Sequence, residues 1–210
     1  MAAAYNWRSA HNHTAELMPA VEQVLLSAGI RTEELSVIAV ALGPGGFSAL
    51  RVGISVAKGL ALASTATLIG VGTLETEAYP YADTDLVISP LLEAGREQIA
   101  VALFQSMDGT WQKIKDEHTC TLEELVKTVP EGALICGEGA VAHLPFLKER
   151  LGSRAKVVEL HSPGARLEAL AALAAVRASK GEGGDPATLQ PLYLRRPSIG
   201  APKVLRRVKS

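Results

Sequence analysis

One segment in the first third of the chain limits the fold more than any other. A short apolar run over residues 37–42 is followed by the break Gly43-Pro44-Gly45-Gly46-Phe47. Helical spacing then extends over residues 48–63, with Ser48 as a candidate N-cap, and residues 67–71 form a second apolar run. Two strands joined by a helix pair in parallel, because the helix returns the chain to the same end of the sheet. The segment therefore predicts an α/β fold.

The order of elements changes in the second half of the chain. A meander of three strands is predicted first, with Asp108-Gly109 as a hairpin turn. The three strands cover residues 86–92, 99–105 and 111–115. Helices at 121–129, 140–151 and 162–180 then alternate with strands at 133–136 and 157–160. Thr121 and Glu124 form a capping box for the first of these helices, Pro145 interrupts the second, and Ser162-Pro163 opens the third. Three strands followed by alternating helices and strands are typical of one lobe of a ribonuclease H-like, actin-type fold.

The length and composition agree with a two-lobed globular protein. The chain has 210 residues and is 48% apolar, which excludes a disordered chain, and its two cysteines exclude a disulfide scaffold. Residues 76–85 are polar and contain Pro80. We therefore predict an N-terminal lobe over residues 1–85, a C-terminal lobe over 86–190 and a tail over 191–210.

The charges divide unevenly along the chain. Residues 195–210 contain six of the 21 basic side chains and none of the 22 acidic ones. Two hypotheses fit such a tail: a solvated terminus, or an arm for RNA phosphates or an acidic partner. In the second case the candidate RNA contacts are Arg206, Arg207 and Lys209. Aromatic residues make up only 4% of the chain, which argues against a surface that stacks on bases.

The sequence indicates a cytoplasmic protein with no membrane span. No apolar run reaches the roughly 18 residues that a spanning helix needs, since the run over residues 52–63 is interrupted by Lys58. The N-terminus shows no pattern of a charged segment followed by an apolar one, as a signal peptide would. Cys120 and Cys136 are interpreted as reduced thiols.

The predicted helix over residues 48–63 carries small residues on one face. Ala49, Gly53 and Ala57 are spaced four residues apart. Gly53 and Gly59 each cost about 1 kcal/mol relative to alanine within a helix. A helix with both glycines therefore needs a close approach of another backbone. Packing within the chain and a subunit interface are both open as its reason.

The glycine loop allows two interpretations. Gly43, Gly45 and Gly46 precede a helix and could present backbone N–H groups to a phosphate, although Pro44 removes one donor. Neither the P-loop pattern nor the dinucleotide pattern is present. A tight structural turn is the alternative.

No complete catalytic set is visible among the other candidates. His11 and His13 lack a third metal ligand, and Cys136 precedes Gly137 without an identifiable base. Glu93 and Glu97 flank a predicted turn and could act as an acid–base pair, but solvated carboxylates are the simpler interpretation. The sequence therefore predicts no catalytic residue, no metal site and no cofactor.

The segment 43–63, GPGGFSALRVGISVAKGLALA, resembles the GPGSFTGLRIG signature of the TsaB (YeaZ) family. Gly46, Ser48 and Ala49 replace a serine, a threonine and a glycine of that signature. Four further segments resemble family motifs in the family's order: His13-Thr14 with Leu17 and Pro19, residues 92–104, residues 137–140, and Pro191-Leu192-Tyr193-Leu194-Arg195.

The resemblance implies a function. TsaB proteins are non-catalytic dimerisation subunits in the bacterial synthesis of N6-threonylcarbamoyladenosine beside the tRNA anticodon. The implied partners are a catalytic TsaD-like paralogue, a TsaE-like ATPase and, through the complex, tRNA. The paralogue would contact helices 14–28 and 48–63. The expected interface residues are Leu17, Val21, Phe47, Ala49, Arg51, Gly53 and Ala57.

The start of the chain departs from the family pattern. Family members open with strands and an I-D-T-S loop before their first helix, whereas a helix is already expected here at residue 14. We therefore expect an incomplete first lobe with an exposed apolar surface. Two alternative functions remain: an actin-fold peptidase-like or nucleotide-hydrolysing enzyme, and a homodimeric interaction module that uses the same helix face.

Overall fold

The computed structural model describes residues 1–7, 9, 12–160 and 162–194. Helices and strands alternate along this part of the chain. The first half contains α1 (His13–Ala28), β1 (Val37–Gly43), α2 (Phe47–Ser64), β2 (Thr67–Gly72), α3 (Thr73–Ala78) and β3 (Ile88–Gly95). The second half contains β4 (Gln98–Met107), β5 (Thr110–Cys120), α4 (Leu122–Thr128), β6 (Leu134–Cys136), α5 (Glu138–Ala142), α6 (Leu144–Leu151), β7 (Lys156–Val157) and α7 (Pro163–Ser179).

The strands form two sheets. In the described residues the first sheet is the parallel pair β1–β2, and the second has the order β5-β4-β3-β6-β7. The meander β3–β4–β5 is antiparallel, whereas β6 and β7 join β3 in parallel. This order confirms the predicted α/β, actin-type arrangement, because a meander extended by parallel strands is the expected sheet of one such lobe.

The first sheet lies between two helices from distant parts of the chain. Ala57 and Ala61 of α2 pack with Leu68 on one face. Leu173 and Ala174 of α7 pack with Ile69 and Val71 on the other face. Since both faces are covered, the strands consist of apolar residues without the alternation of a half-exposed strand.

The second sheet also carries a core on each face. One core joins Leu91 and Ile135 to α4, α5 and α6. The other joins Ile88, Leu92 and Phe104 to α3. The lobe limits 1–85 and 86–190 remain predictions. Helix α7 belongs to the second range by sequence, yet it packs on the first sheet.

Two arginines of α7 bind carboxylates of α3. Arg177 donates to both oxygens of Glu75 at 2.7 and 2.9 Å, and to the carbonyl of Gly70 at 2.7 Å. Arg166 is ion-paired with Glu77, which is only 5% exposed, and donates to Glu138 at 3.2 Å. Both arginines thus hold α7 against α3, at the junction of the two sheets.

Local stereochemistry sets the ends of several elements, and Gly29 ends α1 in the left-handed conformation with φ 67°. Three local predictions are confirmed. Asp108 and Gly109 form the β4–β5 turn with φ values of 51° and 73°. Thr121 and Glu124 form the predicted capping box of α4. Ser162 caps α7 by accepting from the backbone of Ala165.

Other local predictions are wrong or only partly right. The predicted interruption of the helix over 140–151 is confirmed, since α5 ends at Ala142 and Pro145 lies in the first turn of α6, but the first of the two helices starts earlier than predicted, at Glu138. The strand predicted over 157–160 is only Lys156–Val157, and β5 continues to Cys120. The sequence interpretation also missed α3. Ser48 is not a cap, since α2 starts at Phe47 after Gly46 without a side-chain cap.

Helix α2 is the one described helix that is long and apolar enough to cross a membrane by length and composition alone. The helix starts at Phe47, before the apolar run over residues 52–63, and therefore reaches 18 residues. Its inner residues Ile54, Ala57 and Ala61 are buried within the chain. Such burial is typical of a core helix of a globular protein.

The β3–β4 hairpin generates a stability prediction. Arg96 and Glu97 both have positive φ values, 55° and 58°, in a two-residue turn that favours Asn-Gly. We expect the double substitution Arg96→Asn, Glu97→Gly to raise the free energy of unfolding by about 1 kcal/mol in urea denaturation. Glu97→Gln is the matched control, because it removes the charge and keeps the strained backbone. No gain over this control would contradict the prediction.

The buried Glu77–Arg166 pair generates a second prediction. Glu77→Ala should lower the free energy of unfolding by about 3 kcal/mol, because it removes the buried partner of a charged side chain. Glu138→Ala removes the more exposed partner of the same arginine, and its expected cost is below about 1 kcal/mol. Equal costs in thermal or urea unfolding would show that burial is not the deciding factor.

Candidate partner-binding surface

Helix α1 leaves nearly all of its apolar side chains at least partly exposed. Only Ala20 of its 16 residues is buried. Met18 and Leu26 are 44% and 75% exposed, and they lie on one face of the helix two turns apart. A helix of this composition normally buries an apolar stripe against a neighbour. The exposed stripe therefore marks an interaction surface.

Helix α2 has two faces with different surroundings. The inner face, which includes Ala57 and Ala61, packs on the first sheet. The outer face presents Arg51, Gly59 and Leu62 to solvent, and Leu62 is 72% exposed. No heavy atom lies within 4 Å of a Cβ built on Gly59. Packing within the described chain therefore does not explain this helical glycine.

A groove of about 570 Å³ lies between the two helices. Its floor is apolar, and charged side chains of Glu22, Arg31 and Glu33 stand at its edge. The apolar lining residues are Met18, Pro19, Val21, Leu25, Leu26, Ile30 and Leu60. We call the groove and the exposed residues Met18, Leu26 and Leu62 the α1–α2 face. An apolar groove with a charged border is typical of a protein interface.

The small-residue ridge predicted for a partner lies largely on the inner face of α2. Ala57 is 6% exposed and packs on Leu68, so this alanine is covered by its own chain. A Cβ on Gly53 would lie 4.0 Å from Val40, which places this glycine against β1. Ala49 is exposed in the first turns of α2. Sequence spacing defines the ridge, but it does not show which side faces the sheet.

Leu17 and Val21 are partly covered by the N-terminal segment. Tyr5 and Trp7 stack with their ring centroids 5.5 Å apart, and both rings line an apolar pocket with these two residues. Trp7 also donates to the carboxylate of Glu16 at 3.0 Å. The N-terminal segment thus lies along the side of α1 that carries Leu17 and Val21.

The first turn of α2 carries a small aromatic cluster. Phe47 is 40% exposed, and its ring lies 5.2 Å from that of Tyr193. The guanidinium of Arg51 lies 5.0 Å from the centroid of Phe47, a cation–π distance. Phe47 and Arg51 are therefore accessible, as predicted for interface residues.

The glycine loop is shaped by the C-terminal segment. Gly43 has a φ of 111°, and a Cβ there would lie 2.8 Å from the carbonyl oxygen of Leu192. Leu192 also donates its N–H to the carbonyl of Leu42 at 2.8 Å. The close contact with Leu192 thus explains why a glycine occupies position 43. Pro44, Gly45 and Gly46 line a cleft that faces the β3–β4 turn.

The candidate catalytic residues have structural surroundings that the sequence did not predict: Cys136 lies in the core, and Glu93 pairs with a histidine. Cys136 is fully buried, and burial, reinforced by Glu77, raises the pKa of its thiol well above the usual range. Its sulfur donates to the carbonyl of Glu77 at 3.5 Å. Glu93 does not pair with Glu97, but bonds to Nε2 of His143 at 2.6 Å. A buried, protonated thiol is not a nucleophile.

Metal ligands are not grouped in the described part of the chain, where no cluster of three or more His, Cys, Asp or Glu side chains occurs. His13 lies at the start of α1. His11, the other histidine of the predicted pair, lies outside the described residues, as do Arg206, Arg207 and Lys209.

Sequence interpretation missed the outer residues Leu26 and Leu62, and it singled out Gly59 without placing this glycine among the interface residues. Their signal was present as a second stripe on each helix, since Leu62 and Gly59 are three residues apart and Met18 and Leu26 eight apart. The sequence alone does not show which of two apolar stripes packs on the sheet and which stays accessible to a partner.

Comparisons with known proteins agree with this architecture. The family model described as TsaD, tRNA N6-adenosine threonylcarbamoyltransferase, matches residues 8–173. The TsaB protein of Bacillus subtilis, named for tRNA threonylcarbamoyladenosine biosynthesis, is 29% identical over 88% of this chain and 80% of its own length. The TsaB protein of Escherichia coli is 39% identical over 31% of this chain and 29% of its own length.

Solved structures extend the comparison to the fold. The structure of YeaZ from Pseudomonas aeruginosa has a TM-score of 0.70 and 26% identity, and the alignment covers 87% of this chain and 85% of that one. A second Pseudomonas aeruginosa structure, described as an uncharacterized protein with similarity to peptidase YEAZ, has a TM-score of 0.72 and 24% identity over 88% and 85% of the chains. The matched family model and the relatives together show that the chain belongs to the TsaB (YeaZ) family, which shares the TsaD-type domain.

Proposed function

We propose that this protein is a non-catalytic scaffold subunit that pairs with a TsaD-like threonylcarbamoyltransferase in the N6-threonylcarbamoyladenosine modification of tRNA. The observation that carries the proposal is the α1–α2 face. Its exposed Met18 and Leu26 line an apolar groove, and Leu62 is exposed on the outer face of α2. Apolar groups in such a patch gain free energy when a partner removes them from water.

The helical glycine of the outer face supports the same proposal. Gly59 costs about 1 kcal/mol relative to alanine in a helix. The space around it is open within the described chain. A partner helix that approaches closely at Gly59 would explain why a glycine occupies this position in the helix.

The non-catalytic role rests on the chemistry of the described residues. The thiol of Cys136 is held protonated in the core, and Glu93 is engaged by His143. The described residues offer no cluster of metal ligands. We therefore assign the transfer reaction to the TsaD-like partner. A TsaE-like ATPase and tRNA would join through the complex, and the setting would be the cytoplasm.

The alternative of a peptidase-like enzyme is favoured by one comparison, since a solved structure is described by its similarity to peptidase YEAZ. That title describes the other protein, and its 24% identity supports the fold alone. The second alternative is a homodimer of this chain through the α1–α2 face. It differs from the main proposal only in the occupant of the same surface.

The interface proposal predicts the effect of charges on the α1–α2 face. Leu26→Glu and Leu62→Glu each place a carboxylate on an exposed side chain, so we expect folding to be preserved. Each substitution should weaken binding to the TsaD-like subunit at least tenfold in calorimetry, because the carboxylate would be desolvated at the interface. Size-exclusion chromatography of the isolated chain would detect a homodimer that the same variants disrupt.

The matched control is Leu160→Glu. Leu160 is 83% exposed and follows β7 in the second lobe, away from α1 and α2. This variant should bind the partner as the unmodified chain does. If Leu26→Glu and Leu62→Glu bind equally well, the α1–α2 face is not the interface. Gly53→Glu would not be a test of this surface, because Gly53 faces Val40 of the same chain.

The non-catalytic role predicts inert thiols. Cys136 and Cys120 are 0% and 9% exposed, and desolvation raises the pKa of both. In the folded protein at pH 8, we expect a thiol reagent to react with them only after unfolding. Cys136→Ala should cost stability and leave the modification activity of the complex unchanged. Rapid labelling of the native chain, with loss of activity, would instead favour a cysteine enzyme.

A further inference from the structure

Two aromatic side chains cover part of α1 beside the α1–α2 face. The rings of Tyr5 and Trp7 stack with their centroids 5.5 Å apart, and the indole N–H of Trp7 donates to Glu16 at 3.0 Å. We call this stacked pair the clasp. Both rings line a pocket on the side of α1 that carries Leu17 and Val21. The clasp therefore shields apolar side chains on the same helix that carries the α1–α2 face.

The pocket under the clasp and the groove of the α1–α2 face are parts of one apolar surface. Val21 and Leu25 line both of them. Leu17 lies on the clasp side of this shared pair, and Met18 lies on the groove side. A partner that fills the groove therefore extends to side chains that also lie beneath the clasp.

The fit of the clasp to α1 is loose. The pocket keeps a volume of about 220 Å³ between the rings and the helix. Tyr5 and Trp7 are 43% and 41% exposed, and most of the apolar side chains beneath them are only half-buried. Unfilled space of this kind forfeits the dispersion contacts that closely packed side chains make. The hydrogen bond of Trp7 to Glu16 lies at the surface, where water competes for both groups.

We propose that the clasp is a displaceable cover, which a TsaD-like partner pushes aside to reach the full apolar side of α1. In the closed state, Tyr5 and Trp7 shield this side from water. In the bound state, side chains of the partner fill the space that the rings leave unfilled. A partner that packed on the outside of the rings would enclose an unfilled pocket, which favours displacement. The identity of the partner rests on the proposed function, whereas the cover itself does not.

A cover that competes with a partner lowers the apparent affinity in proportion to the fraction of molecules in which it is open. Removal of both rings by the double substitution Tyr5→Ser, Trp7→Ser should therefore strengthen binding to the TsaD-like subunit. We expect calorimetry to show a gain of roughly threefold to tenfold, which corresponds to a clasp that is closed in about 70–90% of molecules. The sign is diagnostic, because the loss of aromatic side chains from within an interface weakens binding.

The matched control is Met1→Ser in the same segment of the chain. Met1 is 74% exposed and does not line the pocket under the clasp. This substitution removes an apolar side chain without opening the cover, so the affinity should equal that of the unmodified chain. If the double variant binds no more tightly than Met1→Ser, the clasp does not compete with the partner and the proposal is wrong.

A second measurement follows the indole of Trp7 directly. The chain has two tryptophans, and the other, Trp111, packs against Tyr79 and Phe104. The indole N–H of Trp111 has no partner among the described residues, so Trp111→Phe removes no hydrogen bond seen there. In this background the chain is labelled with hydroxytryptophan, which is excited apart from the tryptophans of the partner. Acrylamide should quench the label faster in the complex than in the isolated chain. Slower quenching would place Trp7 within the interface and overturn the displacement.

The isolated chain separates the clasp from the proposed function. The dye anilinonaphthalene sulfonate fluoresces on apolar surface, and its fluorescence should be higher with the double variant than with Met1→Ser, because Leu17 and Val21 become accessible. Equal fluorescence would show that the rings do not cover α1, and the clasp would be wrong whatever the partner does. If the fluorescence rises but neither the unmodified chain nor the double variant binds the TsaD-like subunit, the cover stands and the proposed function fails.

Discussion

The contact of α7 with the first sheet and with α3 is the constraint on which the rest of the structure depends. Leu173 and Ala174 cover the first sheet, while Arg166 and Arg177 bind Glu77 and Glu75 of α3 beside the second. A helix of 17 residues is about 25 Å long, which suffices to span the junction. Because both arginines are ion-paired with carboxylates that are mostly withdrawn from solvent, the position of α7 is fixed by charge as well as by apolar packing.

This contact determines which surfaces remain for other molecules. With α7 on one face of the first sheet and α2 on the other, the inner stripe of α2 packs against Leu68 and its neighbours. The outer stripe of α2 then has no cover within the described chain, and α1 is covered only in part, by the N-terminal segment at Leu17 and Val21. Leu192 closes the glycine loop through its hydrogen bond to Leu42, and residues 192–194 line the cleft beside that loop.

The candidate site was predictable in part. Helical spacing correctly located α1 and α2, and the accessibility of Phe47 and Arg51 agrees with the expected interface. Ala57 lies on the inner stripe, which the sequence could not show, because α2 has two stripes and helical periodicity is the same for both. Leu62 and Gly59 belong to the outer stripe. Only the position of β1 and β2 distinguishes it from the inner one, and pairing of strands depends on contacts between distant residues.

The sequence by itself determined the elements that depend on neighbouring residues. The parallel β1–α2–β2 unit, the Asp108-Gly109 hairpin, the Thr121 capping box and the charge of residues 195–210 follow from local stereochemistry and composition. Tertiary structure decided the packing of α7 on the first sheet, the burial of Cys136, the pairing of Glu93 with His143 and the two faces of α2. Each of these joins residues that are far apart in the chain. Their contacts release apolar surface or satisfy charge only after the sheets have assembled.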